Sequence, residues 1–269
     1  MYPIGKVYPG TTQTITLQES RAYADATGDS ADDYTGPDAI CPPMLHVRLL
    51  LPVMEAVAND PELNLDLLRL VHGEHDATFH RPLRPGDQIE TRAVLESVTQ
   101  KRSGLVVISR LFVMCDGQAA VEATTTFFIR APREPDAPPA TPRPAPPAPP
   151  PPDATVDWQV AEDQSHRYAK VSLDNNPIHT DPDIAAAAGL PDVILHGLCT
   201  MAMAGRTVTT AAHATPRRVR RLGVRFAGMV FNGMHLQTRI WHADGKHHFA
   251  VLGPDQRPVI TNGTAQFSE

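Results

Sequence analysis

Hydrophobic and polar positions change rhythm along the chain in the same order twice. Residues 44–57, MLHVRLLLPVMEAV, carry apolar side chains at helical spacing just after Pro43, with Pro52 placed to kink the helix. Three strand-like runs follow, QIETRAVLESV (88–98), LVVISRLFVM (105–114) and AVEATTTFFIR (120–130), and Asp116-Gly117 supplies a hairpin turn between the last two. Further on, LCTMAMAGRTVTTAA (198–212) reads as a helix of small residues suited to close burial, its Met201 and Met203 as core packing. RLGVRFAGMV (221–230), MHLQTRIWHA (234–243), HHFAVLG (247–253) and RPVITNGTAQF (257–267) then read as strands, with Asp244-Gly245 as a turn. One helix and then an antiparallel sheet, twice over, predicts an α+β fold in which each sheet wraps its helix.

Short matches between the halves strengthen this. YADATGD (23–29) lies over YAKVSLD (168–174), and FHRPLRPGDQIETR (79–92) lies over FAGMVFNGMHLQTR (226–239). The offsets, 145 from Tyr23 to Tyr168 and 147 from Phe79 to Phe226, are nearly equal and in the same order, as a duplicated fold requires. Between the halves, APREPDAPPATPRPAPPAPPPP (131–152) removes backbone donors and favours extended polyproline II. The expected organisation is a first half over residues 1–130, a proline-rich linker over 131–153 and a second half over 154–269.

At 269 residues the chain can bury two small cores. A net charge of -6 without a broad basic face argues against nucleic acid as a partner. Cys41, Cys115 and Cys199 lie far apart with no Cys-x-x-Cys pair, which points away from a disulfide framework or structural zinc. No run approaches the ~20 apolar residues of a membrane span, and the amino terminus lacks a charged region followed by an apolar core. The expectation is a cytoplasmic protein with no membrane partner.

Chemistry gathers in VSLDNNPIHTDPDIAAAAGL (171–190). Asp174 and His179 are five residues apart and share no helical face, so they meet only if the segment between them bends, which Pro177 favours. Asp181 then suits an N-cap, Pro182 the first helical position and Gly189 the end of a short helix over 185–188. A carboxylate that holds water and an imidazole that titrates near neutrality suit general acid/base work. Gly197, opening the helix after LH, offers a backbone N–H to polarise a carbonyl oxygen.

The run YAKVSLDNNPIHTDPDIAAAAGLPDVILHGLCT (168–200) resembles the hydratase 2 signature of the MaoC-like dehydratases and R-specific enoyl-CoA hydratases, and the looser pattern of both halves resembles their double-hotdog members. The resemblance implies reversible syn addition of water across the 2,3 bond of an enoyl thioester carried on CoA or an acyl carrier protein, without cofactor or metal. Asp174 and His179 would then hold the water, Asn176 would orient the site and the Gly197 N–H would bind the thioester carbonyl. Leu173, His196, Leu198 and Arg225 are the expected substrate-binding residues, and a homodimer is one expected assembly. It also implies that the other half loses its catalytic set and accommodates the acyl chain. In accord, Ala31, Asp32 and Tyr34 stand where the second half has Asn176, Pro177 and His179, and Pro42 and Pro43 remove N–H groups ahead of the first helix.

One departure is Leu173, where the family usually has glycine and the first half has Gly28. Leucine resists positive φ and adds bulk beside the expected water site, so either the backbone is ordinary there and the pocket reshaped, or activity is compromised. His196 also has a structural reading, as a support for the loop. Asp174, His179 and His196 could together bind a metal, although nothing else in the sequence calls for one. His72, His75 and His80 in VHGEHDATFH lie in an extended pattern and read as scattered strand or loop histidines. RRVRRLGVR (217–225) either meets an anionic carrier or forms a solvated connection.

Overall fold

A computed structural model describes residues 2–132 and 149–269. The first half contains β1 (Val7–Thr14), α1 (Leu17–Ala26), α2 (Leu45–Ala58), β2 (Leu70–Phe79), β3 (Gln88–Lys101), β4 (Gly104–Cys115) and β5 (Gln118–Arg130). The second contains β6 (Ala154–Gln159), α3 (Gln164–Ser172), α4 (Pro182–Ala187), α5 (Gly197–Ala211), β7 (Val219–Phe226), β8 (His235–Ala243), β9 (Lys246–Leu252) and β10 (Pro258–Phe267). Most of the proline-rich linker lies outside the described residues.

All ten strands form one antiparallel sheet in the order β1-β3-β4-β5-β2-β7-β10-β9-β8-β6, which is the same half written forwards and then backwards. The β2–β7 ladder joins the halves. Its register pairs Asp76 with Gly223, Glu74 with Arg225 and Thr78 with Arg221, so an approximate two-fold passes through the Asp76–Gly223 pair and relates each residue of β2 to one 147 positions on. Arg221 reinforces the seam with two hydrogen bonds to the Asp76 carboxylate, at 2.9 and 2.7 Å. Near the same seam α1 meets α3, and the buried hydroxyls of Tyr23 and Tyr168 lie 3.0 Å apart.

The long helices α2 and α5 sit against the inner face of the sheet. Their apolar stripes, Leu45, Leu49, Leu50 and Val53 on one and Met201, Ala204 and Val208 on the other, belong to one continuous core. Small residues on α5 permit the close approach the sequence implies: a β-carbon at Gly205 would meet Leu222 at 2.6 Å. α2 runs on through Pro52, and both Asp-Gly turns have positive φ at both positions, as type I′ hairpins require. β7 ends at Phe226, four residues short of the expected run, because residues 227–234 turn away to carry the contact of Ile194 with Phe231. The three cysteines are free and buried. Among the described residues no helix is long and apolar enough to cross a membrane.

Candidate active site

The loop after α3 is built by short polar side chains bonding to their own backbone. Leu173 ends α3 in the left-handed conformation, φ +67, matching Gly28 after α1 at φ +65. The backbone is therefore not ordinary there: leucine adopts the glycine conformation at a local cost of about 1 kcal/mol. Leu173 is 42 % exposed, so the expected bulk beside the water site is not enclosed by the protein. The Asp174 carboxylate accepts from the Asn176 N–H at 3.3 Å, and the Asn176 side chain accepts from the Ile178 N–H at 3.3 Å to cap a 3-10 turn over Pro177–His179. Asp181 caps α4 through the N–H groups of Asp183 and Ile184.

These turns deliver His179 into a buried position, where its Nδ1 lies 2.7 Å from the Ile194 carbonyl. A carbonyl only accepts, so Nδ1 carries the proton and the neutral ring keeps a lone pair on Nε2. Burial lowers the His179 pKa below the ordinary histidine value, against the opposing pull of the Ile194 carbonyl and the Asp174 charge. His196 stacks on it at 3.7 Å between ring centres and donates from Nε2 to the Asp174 backbone carbonyl at 3.2 Å. Burial and then His179 push the His196 pKa down to about 4, so the lower ring of the stack stays neutral near pH 7.

Gly197 follows as the first residue of α5, where N–H groups are not used by the helix ladder. Any β-carbon there would press on the Phe226 ring at 3.2 Å, so glycine lets that ring pack closely over the start of α5. Asp174, Gly197, Leu198 and Phe226 are all half-buried, whereas His179 and His196 are buried. Ligand atoms of Asp174, His179 and His196 lie within 4.8 Å of one another. A metal fits this set poorly, because two imidazoles stacked at 24° cannot both aim an in-plane lone pair at one ion.

The matching place in the first half keeps the carboxylate as Asp29 but changes the groups around it. Asp29 accepts from the Tyr34 hydroxyl at 2.7 Å, and burial raises its pKa. Arg206 of α5 binds the Gly28 carbonyl. Here lies a cavity of about 560 Å³, lined by Asp29, Tyr34, Pro43, Arg206, Val219 and Leu222 among others, and by none of Asp174, His179 and Gly197.

Asp174, Asn176, His179, His196, Gly197 and Leu198 therefore occupy one neighbourhood, with Asn176 on its exposed rim as a turn cap. His196 is nearly sealed beneath Asp174 and His179, a place for supporting the loop and not for touching substrate. Arg225 is exposed on β7, 3.9 Å from Glu74. The rest of its arginine run is largely engaged: Arg217 pairs with Asp33, Arg218 binds the Ser268 carbonyl and Arg221 holds Asp76. The sequence reading set aside His72 and did not single out Phe226 or Glu55, although Asp174 acts electrostatically on both His72 and Glu55. The signal was present in the repeat: the half-to-half offset carries β2 onto β7, beside this site.

Two family models match the chain, a MaoC like domain over residues 145–261 and a FAS1-like dehydratase domain region over residues 3–122. The chain is 32 % identical over 224 residues to 3-hydroxyacyl-thioester dehydratase Y of Mycobacterium tuberculosis, covering 74 % of this chain and 72 % of that one. It is 29 % identical to peroxisomal multifunctional enzyme type 2 of Mus musculus over 96 % of this chain, and spans only 37 % of that longer protein. A crystal structure of a MaoC-like dehydratase from Phytophthora capsici superposes with a TM-score of 0.83 at 22 % identity, covering 98 % of this chain and 96 % of that one. The architecture is a double hotdog, two sheets each wrapped round a helix and fused edge to edge.

Proposed function

The chain belongs to the MaoC-like dehydratase family, and from that premise we propose that it adds water to, or removes it from, the 2,3 bond of an enoyl or (R)-3-hydroxyacyl thioester on CoA or an acyl carrier protein. Residues 154–269 carry the chemistry, residues 1–130 shape the acyl side and residues 131–153 connect them. The observation that carries this reading is the Asp174 carboxylate held within 4.8 Å of His179 at the start of α5.

In the hydration direction, water held between Asp174 and His179 Nε2 attacks C3 as Nε2 takes one proton. Negative charge moves to the thioester oxygen, which the Gly197 N–H stabilises. The Asp174–His179 pair then returns a proton to C2, so one water is added with nothing oxidised or reduced. The lone pair on Nε2 and the lowered His179 pKa supply a base that is already neutral near pH 7. His196 and Asn176 position the loop, and Leu198 and Arg225 border the substrate.

Loss of enoyl absorbance with crotonyl-CoA, and with its carrier-bound counterpart, tests the reading. The parent protein hydrates at least one of them, and His179→Ala abolishes the rate while thermal unfolding shows a folded protein. Release of free thiol would instead indicate a thioesterase. Binding of every thioester without turnover would indicate an acyl-thioester binding module.

A further inference from the structure

The two-fold in the β2–β7 ladder relates His72 to Val219 and His75 to Leu222. Val219 and Leu222 reach across from the second half to line the cavity beside Asp29. By the same symmetry the first half reaches across to the Asp174 site, and there it presents two imidazoles in place of valine and leucine. His75 spends both nitrogens inside its own half, with Nε2 2.9 Å from His46 and Nδ1 2.8 Å from the Thr125 hydroxyl. His72 does not. Its ring packs edge-on against Phe226 and Phe127 at 5.3 and 5.4 Å, and Phe226 is the ring that covers Gly197. His72 is half-buried as a residue, and its Nε2 is enclosed with no hydrogen-bond partner.

An enclosed polar atom without a partner is costly, and a ligand that supplies one is favoured over an isostere that leaves it bare. His72 is flanked by Phe127 and His75, both buried in the first-half sheet, so a ligand group that reaches it lies on the first-half side of the Asp174 site and away from solvent. We infer that His72 is a specificity residue whose Nε2 hydrogen-bonds a hydroxyl on the acyl chain beyond the reacting double bond. The other ring nitrogen of His72 donates to the Glu74 backbone carbonyl, so Nε2 is the acceptor. The preferred substrates are accordingly thioesters whose chain bears a hydroxyl group, in preference to plain alkyl chains. This inference rests on the hydratase reading of the Asp174 site.

The test uses the full chain with a six-carbon 2-enoyl-CoA and a positional series carrying a hydroxyl on C4, C5 or C6. The expected parent favours at least one hydroxylated member by about tenfold or more in kcat/KM. His72→Phe keeps the aromatic packing and removes both nitrogens, and brings that ratio close to one. His72→Gln, which retains hydrogen-bonding capacity, restores part of it, and thermal unfolding confirms that each variant is folded. A parent that hydrates the series without selectivity overturns the inference alone, as does an equal loss on plain and hydroxylated chains in His72→Phe. A parent that hydrates none of them overturns the reading of the site itself.

Discussion

The two halves share a strand order, a central helix and a ladder register, yet they answer the same local problem with different groups. After α3 the loop sets Asp174 beside a buried imidazole and a glycine-led helix; after α1 it sets Asp29 beside a phenol and two prolines. The phenol consumes the carboxylate, because Tyr34 donates its only proton to Asp29, whereas His179 turns its proton to a backbone carbonyl and leaves a basic nitrogen. In the proposed function, equivalent loops thus give one site that moves protons and one that encloses the acyl side. The exchange across the seam is also unequal: the first half gives its partner histidine where it receives valine.

The largest effect expected from this contrast is kinetic. Asp174→Asn lowers kcat by about a hundredfold to ten-thousandfold, and Asp29→Asn changes it by less than about threefold; similar losses from both would abolish the distinction between the halves. Steady-state hydration rates of the two variants decide it.

Acid stability comes next. Burial holds the folded pKa of His46 and His72 at about 4, below the roughly 6.5 of an unfolded histidine. Between those values the unfolded chain binds more protons, so stability is intact above about pH 6.5 and declines as pH falls towards 4, by roughly 2 kcal/mol per histidine at pH 5. Urea unfolding at pH 7 and pH 5 measures the drop. Burial also keeps the His75 pKa well below the ordinary value, and replacing it with its hydrogen-bond partner, His46→Met with His75→Leu, shrinks the drop; an unchanged drop would show that these imidazoles are not among its sources.

At the seam, the paired phenols give a smaller effect. Tyr23→Phe and Tyr168→Phe each strand the other hydroxyl and cost about 1–2 kcal/mol, while the double variant removes both and costs less than their sum. Additive losses by denaturant titration would mean the contact is not a hydrogen bond.

Smallest is the loop backbone. Leu173→Gly relieves the left-handed strain and, after the entropy of added glycine freedom, stabilises by about 0.5 kcal/mol; Gly28→Leu destabilises by about 1 kcal/mol. A melting-temperature shift of the opposite sign in either variant breaks the equivalence of the two positions.

Much of this was legible in the sequence because it is local. Asp-Gly turns, small residues along α5 and the Asp181-Pro182 start of α4 write their geometry within a few residues. The first helix, α1, escaped notice although Thr16 and Glu19 form a reciprocal cap that the spacing Thr-x-x-Glu announces. β1 was hidden by Pro9 and Gly10, which sit where its register shifts. Leu173 could not be read from propensity, because the loop around it and not the residue sets its φ. His72 was passed over because its significance depends on a strand from the other half, a relation that appears only when the ladder register is known.

The most direct test of the central claim is the fate of a water oxygen. In water enriched in heavy oxygen, mass spectrometry of an enoyl-CoA incubated with the enzyme should find the label on C3 of an intact 3-hydroxyacyl thioester, and Asp174→Asn should leave the enoyl group unchanged. Label in a free carboxylic acid, or hydration at the same rate without the Asp174 carboxylate, would contradict the account.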